Sequence, residues 1–229
     1  MRVAVIIPAL NEEEPLPLVL GDLAAVSVSG VSSIEVIVVD NGSTDQTPQV
    51  AKKLGATVVH QPRKGYGGAC QKGMAYLRGS PPDILVVLDG DHSDHAEDLG
   101  AILQPIIDNE SDFVMGDRTQ LALKGALFPQ QRFGNWLATR LMYLKTGHKY
   151  DDMGPFRAIR WSLIESMMMR DPNWGWNVEM QIKALKLGAR VLEVPVRYRP
   201  RIGQSKVSGT INGSINAGIR IIWAVWRYS

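Results

Sequence analysis

Two aspartates, Asp89 and Asp91, follow directly after an apolar run in the stretch LVVLDGDHSDHAEDL, residues 85–99. In an extended segment, side chains at positions i and i+2 point the same way. Two like charges placed in this way repel each other unless a cation lies beside them. Carboxylates suit Mg²⁺ or Mn²⁺, which take one or two of them and complete their coordination with substrate phosphates. This D-x-D motif predicts a metal site at Asp89 and Asp91, with a solvated turn as the alternative.

The acids that follow in the same stretch have the spacing of a helix start. Asp94 and Glu97 are placed like a capping box before an apolar helical segment. Asp98 suits the positive end of the helix dipole. We therefore expect structural roles for these three side chains.

The elements that must position the aspartates can be predicted from the hydrophobic pattern. β-rich runs lie at 3–7, 34–39, 57–59, 84–88, 113–115 and 191–198, and helical spacing occurs at about 12–26, 44–54, 68–77, 96–107, 132–144 and 178–187. Strands that are apolar on both faces and alternate with helices imply a mostly parallel sheet flanked by helices. The predicted fold class is α/β.

The chain is expected to form one domain, because no linker-like Ser/Gly/Pro stretch divides its 229 residues. We divide it into a first half, 1–118, a second half, 119–209, and a C-terminal amphipathic helix, 210–229. Isoleucines and tryptophans of that helix fall near one face. Such a face fits either a membrane surface or docking on protein.

Composition limits the function and the compartment. A net charge of +2 is too small to argue for a nucleic-acid partner. The single cysteine, Cys70, excludes an internal disulfide and fits a reducing compartment. The N-terminal segment does not have the pattern of a signal peptide, and no run approaches about 18 apolar residues. These features predict a cytoplasmic protein and leave peripheral contact with the membrane open.

Polar residues also end the first two predicted strands, at 8–12 (PALNE) and 40–45 (DNGSTD). In an open parallel sheet, ligands bind beyond the carboxyl ends of the strands. We therefore expect these two segments to converge with Asp89 and Asp91.

Four segments, in this order, resemble the nucleotide-sugar half of the family 2 glycosyltransferases: VIIPALNEEE, VIVVDNGSTDQT, RKGYGGACQKGM and VVLDGDHSD. The resemblance continues through GDR, GPFRAIR and VEMQIKALKLGARVLEVPVRYRPRIGQSK. It is strongest to the branch that contains the dolichyl- and polyprenyl-phosphate hexose synthases. It implies a single Rossmann-like domain of the GT-A fold, and an inverting transfer of a hexose from a UDP- or GDP-sugar.

The resemblance also implies which residues bind the donor. Asp91 would hold the metal that bridges the diphosphate, and Asp89 and Gly90 would lie beside the ribose. The residues around base and ribose would be Pro8, Ala9, Asn11, Glu12 and Asp40. Asp40 can accept from a base edge and Glu12 from ribose hydroxyls, although either could cap a helix. In RKGYGGACQKG, small residues such as Gly65 let backbone approach a ligand, and Lys64 supplies a cation.

One position departs from the branch. Ser93 stands where relatives commonly carry a glutamine or similar metal-side ligand, so the resemblance leaves the identity and coordination of the metal open. The neighbouring His92 is expected to be a supporting or surface residue.

The second half supplies candidates for binding phosphates and the acceptor. A departing diphosphate needs basic groups as well as a metal. The candidate cations are Arg118, Arg132, Arg157, Arg201 and Lys206. Arg157 could instead anchor its own loop, and the stretch around Arg201 and Lys206 could be an exposed basic loop. Trp176 could pack on a sugar ring or fill the core.

The acceptor decides whether a base is needed. A hydroxyl acceptor must lose a proton, and the resemblance places Glu179 on the acceptor side, with Asp152 as the reserve candidate. A lipid phosphate is already anionic and requires no strong base. We take polyprenyl phosphate as the preferred acceptor and a hydroxyl acceptor with Glu179 as base as the alternative. A sugar nucleotidyltransferase or a non-catalytic nucleotide-sugar-binding module remains open, and the sequence does not predict an oligomeric state.

Overall fold

The computed structural model describes residues 1–203 and 211–229, and residues 211–217 by their backbone only. The described strands form one sheet in the order β3-β2-β1-β4-β6-β5-β7. They are β1 (Arg2–Ala9), β2 (Ser33–Asp40), β3 (Thr57–His60), β4 (Ile84–Val87), β5 (Phe113–Ala122), β6 (Arg157–Arg160) and β7 (Val191–Tyr198). Only β6 runs antiparallel to its neighbours within the described sheet. The predicted mostly parallel α/β domain is confirmed.

Helices cover both faces of the sheet. They are α1 (Leu16–Ala25), α2 (Thr47–Lys53), α3 (Tyr66–Leu77), α4 (Leu99–Ile107), α5 (Pro129–Thr146), α6 (Trp161–Ser166), α7 (Trp176–Lys186) and α8 (Ile211–Tyr228). One buried apolar cluster lies under α3 and α7, and a second lies under α1 and α4. Burial of both faces explains why the strands are apolar without alternation.

The sequence did not predict β6 or α6. β6 reads Arg-Ala-Ile-Arg and pairs antiparallel with β4 and β5. A four-residue segment with an arginine at each end has no strand pattern of its own, so pairing with a strand on each side stabilises it. β5 is also longer than predicted, and its pairing with β7 is interrupted between Asp117 and Leu121. Such an irregularity bends a strand and re-aims its side chains.

The predicted capping box is wrong. Asp94 makes no helix cap: it is buried, and its backbone forms an isolated bridge with Tyr198. Asp98 instead binds Arg197 on β7, with Oδ1 at 2.7 Å from Nη2. The short 3₁₀ turn Ala96–Asp98 separates these residues from α4, so the spacing of the three acids does not correspond to one helix start.

Candidate active site

The carboxyl ends of β1 and β4 meet at one edge of the sheet. Arg201 joins them: its Nη2 lies 3.3 Å from Glu12 Oε1 and its Nη1 lies 3.2 Å from Asp91 Oδ2. The segment that carries Arg201 is fixed over this edge by backbone hydrogen bonds from Arg199 N to Ser93 O and from Ile202 N to Asp91 O. The structure therefore brings together the acids that follow both strands, as expected, and adds a cation between them.

The two aspartates of the D-x-D motif have different surroundings. Asp91 is buried, and its Oδ1 accepts hydrogen bonds from the backbone N–H (2.9 Å) and the hydroxyl of Ser93. Asp89 Oδ1 is also buried but has no hydrogen-bond partner among the described residues. Burial, and then the charge of Asp91, raise the pKa of Asp89 to about 7. Ser93 therefore orients Asp91, and Asp89 keeps an unsatisfied acceptor.

These carboxylates fit a hard dication. Within residues 1–203 and 211–229, no group of three or more His, Cys, Asp or Glu side chains is placed to hold a metal. Mg²⁺ and Mn²⁺ are commonly bound by one or two carboxylates, with water and phosphate oxygens as the other ligands. Asp89 Oδ1, which has no partner among the described residues, and Asp91 Oδ2, which faces Arg201, are two carboxylate oxygens of this kind. His92 takes no part: its Nε2 lies 3.0 Å from Asp22 Oδ2, as expected of a supporting residue.

Hydrogen bonds fix the ends of β1 and β2 relative to each other. Asn11 Oδ1 accepts from Thr44 N at 2.8 Å, and the carbonyl of Ala9, which follows Pro8, accepts from Asn41 N at 2.8 Å. Asp40 is buried, and its Oδ2 lies 2.7 Å from His60 Nδ1.

Each oxygen of a carboxylate has two acceptor sites. Asp40 Oδ1 accepts from Ser43 N at 2.9 Å and Oδ2 faces His60, so each oxygen retains one site. Asp40 is nevertheless only 2% exposed and lines neither of the two cavities described below.

The glycines after Lys64 serve protein packing. A Cβ on Gly65 would lie 2.4 Å from the carbonyl oxygen of Pro172, and a Cβ on Gly67 would overlap the carbonyl of Asp171. Gly90 likewise packs against β1, where a Cβ would lie 3.2 Å from Ile7 Cγ2. We expected Gly65 to make room for a ligand. In the structure, the missing Cβ instead lets the 171–173 loop pack closely against it. The side chain of Lys64 is exposed.

Arg118 and Asp152 form a partly buried ion pair. Arg118 Nε lies 2.6 Å and Nη2 lies 2.8 Å from the two oxygens of Asp152, and the guanidinium stacks 4.9 Å from the ring centre of Tyr198. Burial alone would raise the pKa of Asp152, but Arg118 holds it below its usual value. Asp152 is therefore placed to orient Arg118.

Two predicted site residues lie in the interior instead. Arg157 is fully buried and donates to the carbonyls of Gly154, Pro155 and Asn177. It anchors its own loop to the start of α7, which was the alternative considered for it. Trp176 is fully buried in the core and presents no face to a sugar. Arg157 was predicted to bind phosphate and Trp176 to pack on a sugar because of their residue types. The direction of a side chain depends on tertiary packing, and here both side chains point into the interior.

Glu179 is also fully buried on α7. Its oxygens accept from Arg170 N at 2.9 Å, Asp171 N at 2.7 Å and Lys183 Nζ at 2.6 Å. Charge-assisted hydrogen bonds of this kind fix the carboxylate in place. Glu179 lines neither of the two cavities described below.

Two cavities share the wall formed by Arg118, Gln131 and Asn135. The smaller, of about 300 Å³, is lined also by Tyr66, Asp89, Asp91, Trp174, Asn177 and Arg201. The larger, of about 760 Å³, is lined also by Leu123, Arg132, Trp136, Arg140, Tyr143 and Asp152. Lys206, another predicted cation, lies outside the described residues.

The sequence did not indicate Tyr66 or Asn177 as site residues. Both line the smaller cavity, and Asp94 is buried next to it with a pKa raised well above its usual value by burial and by Asp89. Tyr66 stands inside the Gly-rich segment and Asn177 follows Trp176. Trp174, which flanks Gly175 opposite Trp176, is the tryptophan of this pair that faces the cavity. Such orientations depend on packing and have no local sequence signal.

Comparisons with known proteins show the family to which the chain belongs. Residues 4–167 match the family model described as Glycosyl transferase family 2. The chain is 38% identical to an uncharacterized glycosyltransferase of Mycobacterium tuberculosis, over 97% of each chain. It is 31% identical to an undecaprenyl-phosphate mannosyltransferase of Micrococcus luteus, covering 93% of this chain and 90% of that protein. It is 33% identical to a dolichyl-phosphate hexose transferase of Haloferax volcanii, covering 92% and 89%.

The fold is also that of solved glycosyltransferases. Glucosyl-3-phosphoglycerate synthase of Mycobacterium tuberculosis, in complex with Mn²⁺, UDP and glucosyl-3-phosphoglycerate, superposes with a TM-score of 0.76 at 21% identity, over 99% of this chain and 79% of that one. This likeness shows the GT-A fold. With the family match over residues 4–167, it establishes that the chain is a glycosyltransferase that belongs to glycosyl transferase family 2.

Proposed function

We propose that this protein is an inverting glycosyltransferase that moves a hexose from a UDP- or GDP-sugar to polyprenyl phosphate with Mg²⁺ or Mn²⁺. One observation carries the proposal: Arg118 lies in the wall between a cavity that ends at two aspartates and a larger cavity lined by cations and apolar side chains. A donor diphosphate bound in the first cavity and a lipid phosphate bound in the second would both lie next to one guanidinium.

On the donor side, Asp91 and Asp89 would hold the dication, and Glu12 and Asp40 would bind ribose and base. When bound, the metal would neutralise the charge that grows on the departing diphosphate. Arg201 contacts Asp91 and Glu12 in this structure, so it would move toward the diphosphate as the metal takes its place beside Asp91. Pro8, Ala9, Asn11 and Gly90 would form the surrounding backbone, and Lys64 and Lys206 would add positive charge.

On the acceptor side, the larger cavity combines the features that a lipid phosphate requires. Arg132 and Arg140 supply positive charge, and Leu123, Trp136 and Tyr143 supply apolar surface. Guanidinium groups bind phosphate oxygens strongly, and apolar walls suit a hydrocarbon chain. The relatives named for undecaprenyl and dolichyl phosphate support the same acceptor class.

The state of the two predicted bases favours a phosphate acceptor over a hydroxyl. Glu179 is buried and bound by three donors, and Asp152 is bound by Arg118. A phosphate oxygen is already anionic and attacks without a base. Attack on the anomeric carbon from the side opposite the departing diphosphate would invert its configuration, with Arg118 and Arg132 holding the acceptor phosphate.

Contact with a membrane surface is part of the proposal. Phe133 and Trp136 on α5 are 62% and 59% exposed, and α8, which packs against α5 and α7, exposes Ile219, Trp223 and Trp226. Aromatic side chains with one wet edge suit the bilayer interface. In the part of the chain that the structure describes, no helix is long and apolar enough to cross a bilayer. The protein would then act peripherally at the cytoplasmic face.

The test is transfer of radiolabelled hexose from UDP-glucose or GDP-mannose, with Mn²⁺ or Mg²⁺. One reaction contains a short-chain polyprenyl phosphate and a parallel one the corresponding polyprenol. The proposal predicts label in the organic phase only with the phosphate. Transfer to the free alcohol, or to water-soluble hydroxyl acceptors alone, would contradict the proposed acceptor.

A further inference from the structure

Four residues that line the smaller cavity each have a polar side-chain atom without a hydrogen-bond partner. The atoms are Asp89 Oδ1, Tyr66 Oη, Asn177 Oδ1 and Arg201 Nε, each shielded from solvent and without a hydrogen bond among the described residues. An unsatisfied buried polar group costs about 1–3 kcal/mol, and native proteins contain few of them. The proposed metal would occupy Asp89 Oδ1 and the donor diphosphate would pair with Arg201. The two atoms that remain, Tyr66 Oη and Asn177 Oδ1, indicate that a ligand with hydroxyl groups completes their hydrogen bonding.

Separate rigid elements carry these atoms. Asp89 follows β4, Tyr66 is the first residue of α3, and Asn177 lies in the first turn of α7. The Tyr66 hydroxyl can donate one hydrogen bond and accept others, and the Asn177 amide oxygen can only accept. The site therefore presents a donor and acceptors in fixed positions.

The remaining wall of the cavity is partly apolar. Met153, Pro155 and the half-exposed Trp174 line it together with the polar atoms. A pyranose has hydroxyls around its edge and C–H groups on its faces, so it matches a pocket with both kinds of surface. A volume of about 300 Å³ leaves room for one hexose beside the end of a diphosphate.

From this arrangement, we infer that Tyr66 and Asn177 form the hexose subsite of the donor, with Asp89 at its rim, and select a pyranose that carries free hydroxyls. The inference rests on the proposed function, because it assumes a nucleotide-sugar donor whose diphosphate lies at Asp91. It assigns Tyr66 and Asn177 to sugar recognition and leaves nucleotide binding to other residues.

The experiment compares a nucleotide with its sugar. Calorimetry with Mn²⁺ measures Kd for UDP and UDP-glucose, and for GDP and GDP-mannose, on wild type, Tyr66→Phe and Asn177→Ala. Tyr76→Phe is the matched control, because Tyr76 is exposed on the same helix. If the subsite is correct, each of the two substitutions raises the Kd for the nucleotide-sugar about three- to tenfold, which is the effect of one lost hydrogen bond. The Kd for the nucleoside diphosphate should not change.

The outcomes separate the two proposals. The subsite is overturned if the variants bind the nucleotide-sugar with the wild-type Kd, or if their affinities for the nucleotide and the nucleotide-sugar fall equally. In either case the proposed function still stands if the wild-type protein transfers the hexose. A wild-type protein that binds neither kind of ligand overturns both. Thermal melting of each variant confirms that it is folded before its Kd is compared.

Discussion

The donor edge of the sheet and the acceptor side of the molecule present charge and apolar surface in opposite ways. At the donor edge, Asp40, Asp89 and Asp91 lie at the ends of strands, largely shielded from water. On the acceptor side, α5 and α8 leave Trp136 and Trp226 exposed, and Lys145 stacks on Trp226. The first region holds acids where water is scarce, and the second offers an apolar surface bordered by positive charge.

Under the proposed function, this difference would suit two unlike ligands. Buried acids favour a dication and a diphosphate, because the unpaired charge is costly until a cation neutralises it. Exposed aromatic rings and arginines favour a lipid with an anionic head group. Arg118 lies between the two regions and is oriented by Asp152. The predictions below alter one region at a time.

The largest effect is expected at the donor edge. Asp91→Asn removes a metal-binding charge, so metal-dependent transfer should fall about 100-fold or more, as for other lost electrostatic contacts to a departing group. Steady-state kinetics across a Mn²⁺ titration measures it. Asp108→Asn is the control, because Asp108 is an exposed acid at the end of α4. Unchanged metal-dependent turnover in Asp91→Asn would show that this aspartate does not hold the metal.

Glu179→Gln tests whether the acceptor side contains a base. Removing this buried anion leaves Lys183 and two backbone N–H groups poorly paired, so the free energy of unfolding should fall by about 2–4 kcal/mol. The turnover of the folded protein should change less than about threefold, because Glu179 does not reach the substrate. Urea unfolding and kinetics below the transition measure the two effects.

The control for that variant is Glu165→Gln. Glu165 pairs with Arg78 at the surface, where such a pair contributes at most about 1 kcal/mol. A Glu179→Gln protein of wild-type stability that has lost transfer would identify Glu179 as the base and restore the hydroxyl acceptor.

A smaller effect concerns the membrane surface. Replacing Phe133 and Trp136 with serine removes exposed apolar area from α5, which contributes about 25 cal/mol per Å² when buried in lipid. Flotation with phosphatidylglycerol vesicles should show several-fold less bound protein. Leu54→Ser, at an exposed leucine after α2, should bind as wild type does. Equal flotation of all three proteins would rule out this face as the membrane contact.

The smallest effect is a pH dependence of stability from Glu193 on β7. Its oxygens accept from Asp151 N and Asp152 N, and burial raises its pKa from 4.5 to about 7. Between these values the folded state binds more protons than the unfolded state, so the stabilisation is complete below pH 4.5 and is lost as the pH rises through 7.

Urea unfolding at pH 5, 6, 7 and 8 tests the contribution of Glu193. One pKa unit corresponds to about 1.4 kcal/mol, which bounds the slope per pH unit. The free energy of unfolding of Glu193→Gln should change less with pH over this range than that of wild type. Glu165→Gln should show the wild-type dependence. Parallel curves for wild type and Glu193→Gln would mean that Glu193 is ionised in the folded protein.

The donor edge could be predicted from the sequence because its signals are local. A D-x-D motif follows one apolar strand, and polar residues follow two others. Because the carboxyl ends of parallel strands lie at the same edge of a sheet, these signals predict where the site lies. Asp91 and Glu12 meet there at Arg201, as expected of the ends of the two strands. The contact of Arg201 with both ends had no local signal, because Arg201 and Glu12 are 189 positions apart.

The acceptor side was predicted less well because side-chain direction decided it. Arg157, Trp176 and Glu179 are residue types that bind sugars or phosphates, yet all three point into the core. β6, which carries Arg157, exists because β4 and β5 pair with it. Asp94 has the spacing of a helix cap but lies buried beside the site. Spacing along the chain could not give these orientations, which depend on contacts between distant segments.

The most direct test of the donor edge is the position of Mn²⁺ in crystals grown with Mn²⁺ and UDP or GDP. We predict an anomalous peak at about 2.2 Å from a carboxylate oxygen of Asp91, between that residue and the diphosphate, with the Arg201 guanidinium displaced from its present contact at 3.2 Å. A nucleotide bound with no peak at Asp91, or with Arg201 still paired to Asp91, would contradict the assignment of the metal and of the donor edge.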